Sequence, residues 1–302
     1  MTLIVVAGPT AVGKTRVAIA LAERLGTEIV SADARQVFRE MRIGTAHPSE
    51  EELARVRHHL VGTHSIHESY NAAAYGAEAL AIINDLFTRH EYVILCGGSG
   101  LYIKAVLEGF DHIPDVDPAI RENLNREYQE KGLSWLQEKM RDLDPEYYGV
   151  VDQQNPQRLL RALEVRIGTG RSIASFRSQR KGTPPFPVIK IGLTMERKAL
   201  YRAIDERVDR MVEAGLFEEA MALYPYRHLN ALRTVGYQEI FHYIEERYDK
   251  AEAIALIKQH TRNYAKRQLT WFRRDPEYAW FDPEDMEAVL AHIAVKSHDL
   301  KS

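Results

Sequence analysis

The chain has 302 residues, a formal net charge of −3 and 45% hydrophobic residues, which is ordinary for a soluble globular enzyme of one large or two modest domains. It shows no signal-peptide pattern and no run approaching the roughly 18 apolar residues of a membrane span, so we expect a cytoplasmic protein that does not bind membranes. The single cysteine, Cys96, excludes an internal disulfide and a cysteine-rich zinc site.

The N-terminal segment predicts a phosphate-binding loop. The apolar run Leu3 to Ala7 predicts a buried strand, and residues 15–25 show helical spacing that stops at Gly26. The residues between them match the phosphate-loop pattern: Gly8, Pro9, Thr10, Ala11, Val12, Gly13, Lys14 and Thr15. Inward-facing amides, the helix N-terminus and Lys14 would hold a diphosphate or triphosphate, and the Thr15 hydroxyl would face Mg²⁺. The motif leaves open whether the phosphate is transferred, hydrolysed or discarded.

A second short strand is expected over Glu28 to Asp33, and it ends in a carboxylate. Because the carboxyl ends of parallel strands face the ligand crevice, Asp33 is expected to point toward the phosphate loop, where it could orient metal-bound water or accept a proton. After an alanine-rich helix over 71–90, Tyr92 to Cys96 predicts a third strand. The glycine-rich turn at 97–100 suits close approach by a bulky ligand better than activation of water.

Helical patterns replace the alternation of strands and helices from Pro114 to about Pro187, at 119–131, 133–141 and 156–167. A strand over Val188 to Thr194 then resumes the sheet. Further helices are expected near 197–214, 216–223, 237–247 and 251–274. The predicted fold is therefore α/β: a parallel-sheet core with a phosphate loop (1–113 and 188–302), an inserted helical domain (114–187) and a helical C-terminal segment.

Basic residues concentrate in two segments of this acidic chain. Residues 156–181 contain seven Lys or Arg and one acid, and residues 262–274 contain five and no acid. Such local clusters favour a polyanionic partner that is met at particular surfaces, although solvated helix faces would give the same pattern.

Six blocks in order along the chain resemble bacterial tRNA dimethylallyltransferases, the MiaA family: residues 8–15, 31–36, 97–102, 157–164, 232–237 and 262–272. The resemblance covers nearly the whole chain. It implies a reaction in which the exocyclic amine of the adenosine 3′ of the tRNA anticodon attacks the first carbon of dimethylallyl diphosphate and diphosphate leaves, with Mg²⁺ as cofactor. It also implies binding to the anticodon stem-loop of tRNA, and we expect the protein to be a monomer.

The same resemblance assigns roles to residues of this chain. Asp33 would be the catalytic base, Ser99 would hold the target adenosine, and Arg207 would contact the diphosphate. Together with the basic segment at 262–274, it gives an expected tRNA-binding set of Asp33, Ala34, Arg35, Gln36, Ser99, Arg121, Gln157, Arg158, Leu159, Leu160, Arg161, Arg262, Lys266 and Arg267.

Three positions depart from the family's usual residues. Ala34 stands where serine is common, Phe38 where tyrosine is common, and Ser99 where threonine is usual. Ser99 keeps the hydroxyl, whereas Ala34 puts one RNA contact in doubt.

Two other functions stay open from the residues alone. A small-molecule kinase would also use a phosphate loop and a strand-end aspartate, but it leaves the insertion and the tail unexplained. Prenyl transfer to free adenine nucleotides leaves the basic 262–274 segment without a role.

Overall fold

A parallel sheet of six strands organises the computed structural model, which describes residues 1–110, 113–176 and 182–300. Its strands, numbered along the chain, are β1 (Thr2–Ala7), β2 (Ile29–Ser31), β3 (His58–His59), β4 (Tyr92–Gly97), β5 (Val188–Leu193) and β6 (Ala279–Phe281). They lie in the order β3-β2-β4-β1-β5-β6, and each neighbouring pair is parallel. The predicted α/β fold with a parallel-sheet core is confirmed.

β1 runs through the middle of the sheet and all of its residues are buried. Ile4 is in register with Ile94 of β4 on one side and with Ile189 of β5 on the other. Alternate residues of β1 enter two different hydrophobic cores, one on each face of the sheet. A strand covered on both faces needs apolar residues throughout, which is why its sequence is a continuous apolar run without alternation.

The described residues also form twelve α-helices. They are α1 (Lys14–Leu25), α2 (Glu50–Arg55), α3 (Ala72–Leu86), α4 (Gly100–Glu108), α5 (Pro118–Leu143), α6 (Pro145–Tyr148), α7 (Pro156–Thr169), α8 (Arg197–Glu213), α9 (Leu216–Leu223), α10 (Tyr237–Ile244), α11 (Lys250–Phe272) and α12 (Met286–Asp299). The helices predicted from 197 to 274 are confirmed as α8 to α11. The two predicted at 119–131 and 133–141 form α5, which Gly132 interrupts with a φ of 77°.

Several short or late elements were not predicted. β3 and β6 contain two and three residues, too few for a periodic pattern. The segment at 97–100 was assigned to a turn, and α4 begins within it, at Gly100. No prediction covered α12, which packs beside β5.

The chain forms two compact units, Met1–Glu108 with Thr183–Ser302 and Gly109–Gly182. In the first, the sheet carries two cores, and a third core lies among α8 to α11. In the second, α5, α6 and α7 enclose their own core around Leu136, Met140 and Leu163. The assignment of 114–187 as a tRNA-contacting domain stays a prediction. Among the described residues, no helix has both the length and the apolar character needed to cross a bilayer.

Candidate active site

The loop between β1 and α1 has the backbone of a ligand cradle. Ala11 and Gly13 adopt left-handed conformations with φ of 63° and 94°, which turn the chain sharply before α1. A Cβ at Gly8 would lie 2.8 Å from the carbonyl oxygen of Leu193, so the end of β5 approaches the loop too closely for a side chain there. The Lys14 ammonium donates to the carbonyl of Pro9 at 2.7 Å, which folds its side chain back over the loop.

Lys14 belongs to a cluster of charges at the carboxyl edge of the sheet. Burial lowers the pKa of Lys14 to about 8. The positive charge of Arg207 also lowers it, whereas Cys96 and the Asp33 carboxylate act in the opposite direction. The cluster therefore brings together a lysine and an arginine with one nearby carboxylate.

Asp33 lies two residues beyond the end of β2, because the strand is shorter than predicted and ends at Ser31. One of its carboxylate oxygens accepts the backbone N–H groups of Arg35, at 2.9 Å, and Gln36, at 3.2 Å. The neighbouring amide of Ala34 donates to the Ser99 hydroxyl oxygen at 2.9 Å. Asp33 and Ser99 are thus held in adjacent loops, and Ala34 contributes its backbone to this arrangement.

Arg207, on α8, reaches the same region and donates to the carbonyl of Thr45 at 3.3 Å. The Gln36 side chain donates to the same carbonyl at 3.2 Å. Burial lowers the pKa of Arg207, and the Asp33 carboxylate opposes that shift. The structure therefore places Asp33, Arg207 and Lys14 together, although they come from three different parts of the sequence.

The loop that presents Thr45 is fixed by a carboxylate that the sequence did not single out. Glu219 of α9 accepts the backbone N–H groups of Ile43 and Gly44 at 2.8 and 2.9 Å, and it accepts the Tyr237 hydroxyl at 2.6 Å. Tyr237 is fully buried, and a Cβ at Gly44 would lie 2.6 Å from its ring. Glu219 and Tyr237 therefore determine where the loop carries the Thr45 carbonyl.

Tyr264 and Arg35 face Asp33 from the side of Ser99. Burial raises the pKa of Tyr264 to about 12, so its phenol keeps its proton at neutral pH. Burial lowers the pKa of Arg35, while Tyr102, Tyr264 and Asp33 act against that shift. Tyr264 is a second residue that the sequence did not single out, since it lies in a segment that was noted for its basic residues.

A cavity of about 620 Å³ within the first unit is lined by Asp33, Arg207 and Tyr264, whereas Lys14 is not among its lining residues. The polar residues that line it include Thr10, Asp33, Arg35, Ser99, Arg207 and Tyr264. Its apolar wall is formed by Phe38, Val208, Met211, Leu216 and Ile257. A ligand with an anionic end and a short apolar chain matches both walls.

A second concavity, of about 430 Å³, lies on the outer surface of α11 and shares Arg267 with the cavity. We call it the α11 groove, and its lining is Asn263, Lys266, Arg267, Thr270, Trp271 and Arg274. Trp271 is 40% exposed. Arg262 does not line the groove, and its guanidinium is ion-paired with Asp205 of α8 at 2.5 Å. The basic segment thus divides into a groove and a structural ion pair.

The predicted tRNA contacts of the second unit lie on and beside α7. Arg121 and Arg161 both pair with Glu164 at 3.1 Å, and Arg121 donates to the Gln157 side chain at 2.9 Å. Arg158 is exposed. Leu159 and Leu160 are fully buried in the core of this unit, so only their backbone could face tRNA, and their place in the tRNA-binding set stays a prediction. The basic residues Arg177, Arg180 and Lys181 lie outside the described residues.

Comparison with known proteins identifies close relatives. Residues 36–275 match the family model described as IPP transferase. The chain is 49% identical over 294 residues to a tRNA dimethylallyltransferase of Cytophaga hutchinsonii, covering 97% of both chains. It is 50% identical to one of Christiangramia forsetii, covering 97% of this chain and 98% of the other.

Solved structures agree with these relatives. A tRNA isopentenylpyrophosphate transferase of Bacillus halodurans superposes with a TM-score of 0.72 at 35% identity, over 100% of this chain and 99% of the other. A eukaryotic dimethylallyltransferase acting on tRNA shares the fold with a TM-score of 0.74 at 24% identity, over 95% of this chain and 75% of its own.

Proposed function

Because this chain belongs to the IPP transferase family, we propose that it transfers a dimethylallyl group from dimethylallyl diphosphate to tRNA. The acceptor is the exocyclic N6 amine of the adenosine 3′ of the anticodon, and diphosphate is released. The observation that carries the proposal is the cavity, in which Asp33 and Arg207 stand beside an apolar wall.

The proposed reaction is a displacement at the first carbon of the prenyl donor. A bond forms between N6 of adenosine and that carbon as its bond to the diphosphate oxygen breaks. The amine loses one proton, and Asp33 is the group placed to accept it. Its two backbone hydrogen bonds hold one carboxylate oxygen, so the other oxygen is oriented for the proton transfer.

The leaving diphosphate gains negative charge in the transition state, and fixed cationic groups lower the energy of that charge. Lys14 and Arg207 provide two such groups, one on the phosphate loop and one on α8. Their enclosure strengthens the interaction, since a buried charge is screened less by water. The backbone amides of residues 8–15 would hold the remaining phosphate oxygens.

Mg²⁺ fits this donor set as part of a complex with substrate. Thr15 follows Lys14 in the first turn of α1 and is partly exposed. Within the described residues no group of three or more His, Cys, Asp or Glu could hold a metal, but Mg²⁺ usually takes substrate phosphates and water among its ligands. The Thr15 hydroxyl would hold Mg²⁺, which would neutralise part of the diphosphate charge when bound.

The apolar wall is suited to the five-carbon group of the donor. Phe38, Val208 and Leu216 belong to the buried core beside α8 and α9, so this part of the cavity is preformed. Burying the apolar tail contributes about 0.8 kcal/mol for each CH₂ that leaves water. The same wall keeps water away from the reacting carbon, which favours transfer to the amine over hydrolysis.

The tRNA must deliver its adenosine unstacked, because an enzyme that acts on a base takes it out of the helix or loop stack. Ser99, Arg35 and Tyr264 line the cavity next to Asp33 and form the proposed adenosine site. The α11 groove would hold backbone phosphates of the anticodon loop. Arg121, Gln157, Arg158 and Arg161 in 114–187 would contact the stem-loop from the second unit. We propose that the protein acts as a cytoplasmic monomer.

The test is a transfer assay with purified protein, Mg²⁺, dimethylallyl diphosphate and unmodified tRNA, followed by analysis of the nucleosides. We expect N6-dimethylallyladenosine and one equivalent of diphosphate. Parallel reactions replace tRNA with AMP, or replace the prenyl donor with ATP and a panel of small hydroxyl compounds. Prenylation of AMP in preference to tRNA would indicate the free-nucleotide reaction, and consumption of ATP without prenyl transfer would indicate a kinase.

A further inference from the structure

Gln268 is a buried polar side chain in α11 that the proposed reaction does not use. It is 6% exposed and lies one helical turn after Tyr264. Its carbonyl oxygen accepts the backbone N–H of Thr10 at 2.8 Å, and its amide nitrogen donates to the carbonyl of Gly98 at 2.9 Å. Both contacts span more than 150 residues of sequence, so this one side chain connects three distant parts of the first unit.

The two loops that Gln268 joins belong to the two proposed substrate sites, one for the diphosphate and one for the adenosine. Thr10 belongs to the phosphate loop, and Gly98 precedes Ser99 in the loop of the proposed adenosine site. A Cβ at Gly98 would lie 2.3 Å from the Gln268 amide nitrogen, so the glycine leaves the space that this amide fills. The Gln268 bridge between Thr10 and Gly98 therefore depends on two features. The glutamine side chain has the right length, and the glycine at position 98 leaves room for its amide.

We propose that Gln268 is a positioning residue that fixes the position of the phosphate loop relative to the Gly98–Ser99 loop. This rests on the proposed function for the identity of the two ligands. Fixing the Thr10 amide fixes the peptide plane in the middle of the loop, and the orientation of the neighbouring N–H groups follows from it. Gln268 itself touches neither the reacting atoms nor the diphosphate.

The chemistry of the amide explains why glutamine is suited to the position. One contact needs an acceptor and the other needs a donor, and a glutamine side chain supplies both. Glutamate would satisfy Thr10 but would set a negative charge against the Gly98 carbonyl. Methionine has a similar length and supplies neither partner, so Gln268→Met leaves a partly buried N–H and a buried carbonyl without their bonds.

The first measurement is the binding of inorganic pyrophosphate with Mg²⁺ by calorimetry, which does not depend on transfer. We expect Gln268→Met to raise the Kd for pyrophosphate about tenfold, equivalent to about 1.4 kcal/mol, and to raise the KM for dimethylallyl diphosphate more than it lowers kcat. The matched control is Gln259→Met, an exposed glutamine of the same helix, which should leave the Kd unchanged. An unchanged Kd in folded Gln268→Met would overturn the proposal.

Gly98→Ala tests the same bridge from the other loop, and it replaces the first test if the Gln268→Met variant does not fold. The added methyl displaces the Gln268 amide, so pyrophosphate binding should weaken, and in the Gln268→Ala background the methyl should have no further effect because the space is free. Additive effects of Gly98→Ala and Gln268→Ala would refute the bridge. Failure of the unaltered protein to bind pyrophosphate would instead refute the proposed function, as would binding without transfer to tRNA.

Discussion

Lys14 is expected to impose an upper pH limit on use of the prenyl donor. Burial lowers the pKa of its ammonium to about 8, so the free enzyme loses this charge within the range of ordinary assays. Only the protonated form attracts the diphosphate. Because kcat/KM follows the ionisation of the free enzyme, it should fall as the pH rises through this pKa.

The size of the fall follows from the pKa of about 8. About 90% of Lys14 is protonated at pH 7 and about 3% at pH 9.5, so kcat/KM for dimethylallyl diphosphate should fall about 30-fold between them, approaching tenfold per pH unit. Burial raises the pKa of Cys96 and of Tyr264 to about 12 each, so neither group titrates over this range.

The stability of the free protein should change in the opposite direction. The folded-state pKa of Lys14 lies below that of the unfolded chain, so between about pH 8 and pH 9.5 the unfolded chain binds more protons from this group. The contribution of Lys14 to the free energy of unfolding therefore rises across the range in which affinity for the donor falls. Melting temperatures at each pH separate the loss of affinity from denaturation.

The assay is initial-rate kinetics at saturating tRNA from pH 6.5 to 9.5. Lys14→Arg is the matched control, because a guanidinium keeps its charge throughout this range and should give a flat profile at a lower absolute rate. Lys14→Met should be slow at every pH. A flat profile for the unaltered protein, or an equal fall in Lys14→Arg, would refute the assignment of the titration to Lys14.

Three further predictions concern the base, the groove and the loop support. Asp33→Asn should lower kcat by about 10²-fold or more while tRNA binding measured by filter retention is kept, and near-normal turnover would remove Asp33 as the base. Replacing both Lys266 and Arg267 with alanine should reduce the slope of log K for tRNA binding against log salt concentration by up to about 2. Arg262→Ala should leave the slope unchanged, because Arg262 pairs with Asp205. Equal effects of the two changes would contradict the division of the basic segment. Glu219→Ala should lower the free energy of unfolding by about 2–4 kcal/mol in denaturant titrations. The change leaves two backbone N–H groups and the Tyr237 hydroxyl without their acceptor. Unchanged stability would show that other contacts hold the loop.

Local patterns were sufficient to predict the parallel core. β1 is an apolar run because it is buried on both faces, and the turn into α1 needs glycine at position 13. Both features could therefore be predicted from the sequence. β3 and β6 form only because neighbouring strands offer them hydrogen bonds, and nothing within two or three residues records that. The same limit applies to Asp33: its place just after a strand was predictable, but its approach to Arg207 depends on the packing of α8.

The basic segment shows why charge alone predicted the site incompletely. Arg262 pairs within the protein, whereas Lys266, Arg267 and Arg274 line the α11 groove. Counting charges could not separate these groups, since the division depends on which side of the helix packs against α8. Gln268 was overlooked for a related reason: an uncharged polar residue inside a helix gives no periodic signal, and its role depends on loops that lie far away in sequence.

α11 contributes side chains to both the cavity and the α11 groove. Tyr264, Gln268 and Trp271 fall at positions i, i+4 and i+7, so they form one stripe, and this stripe faces the loops at 98–100 and the phosphate loop. Arg267 lies beside that stripe and lines both the cavity and the α11 groove. One helix therefore carries both the side chain that braces the phosphate loop and the basic residues that line the α11 groove.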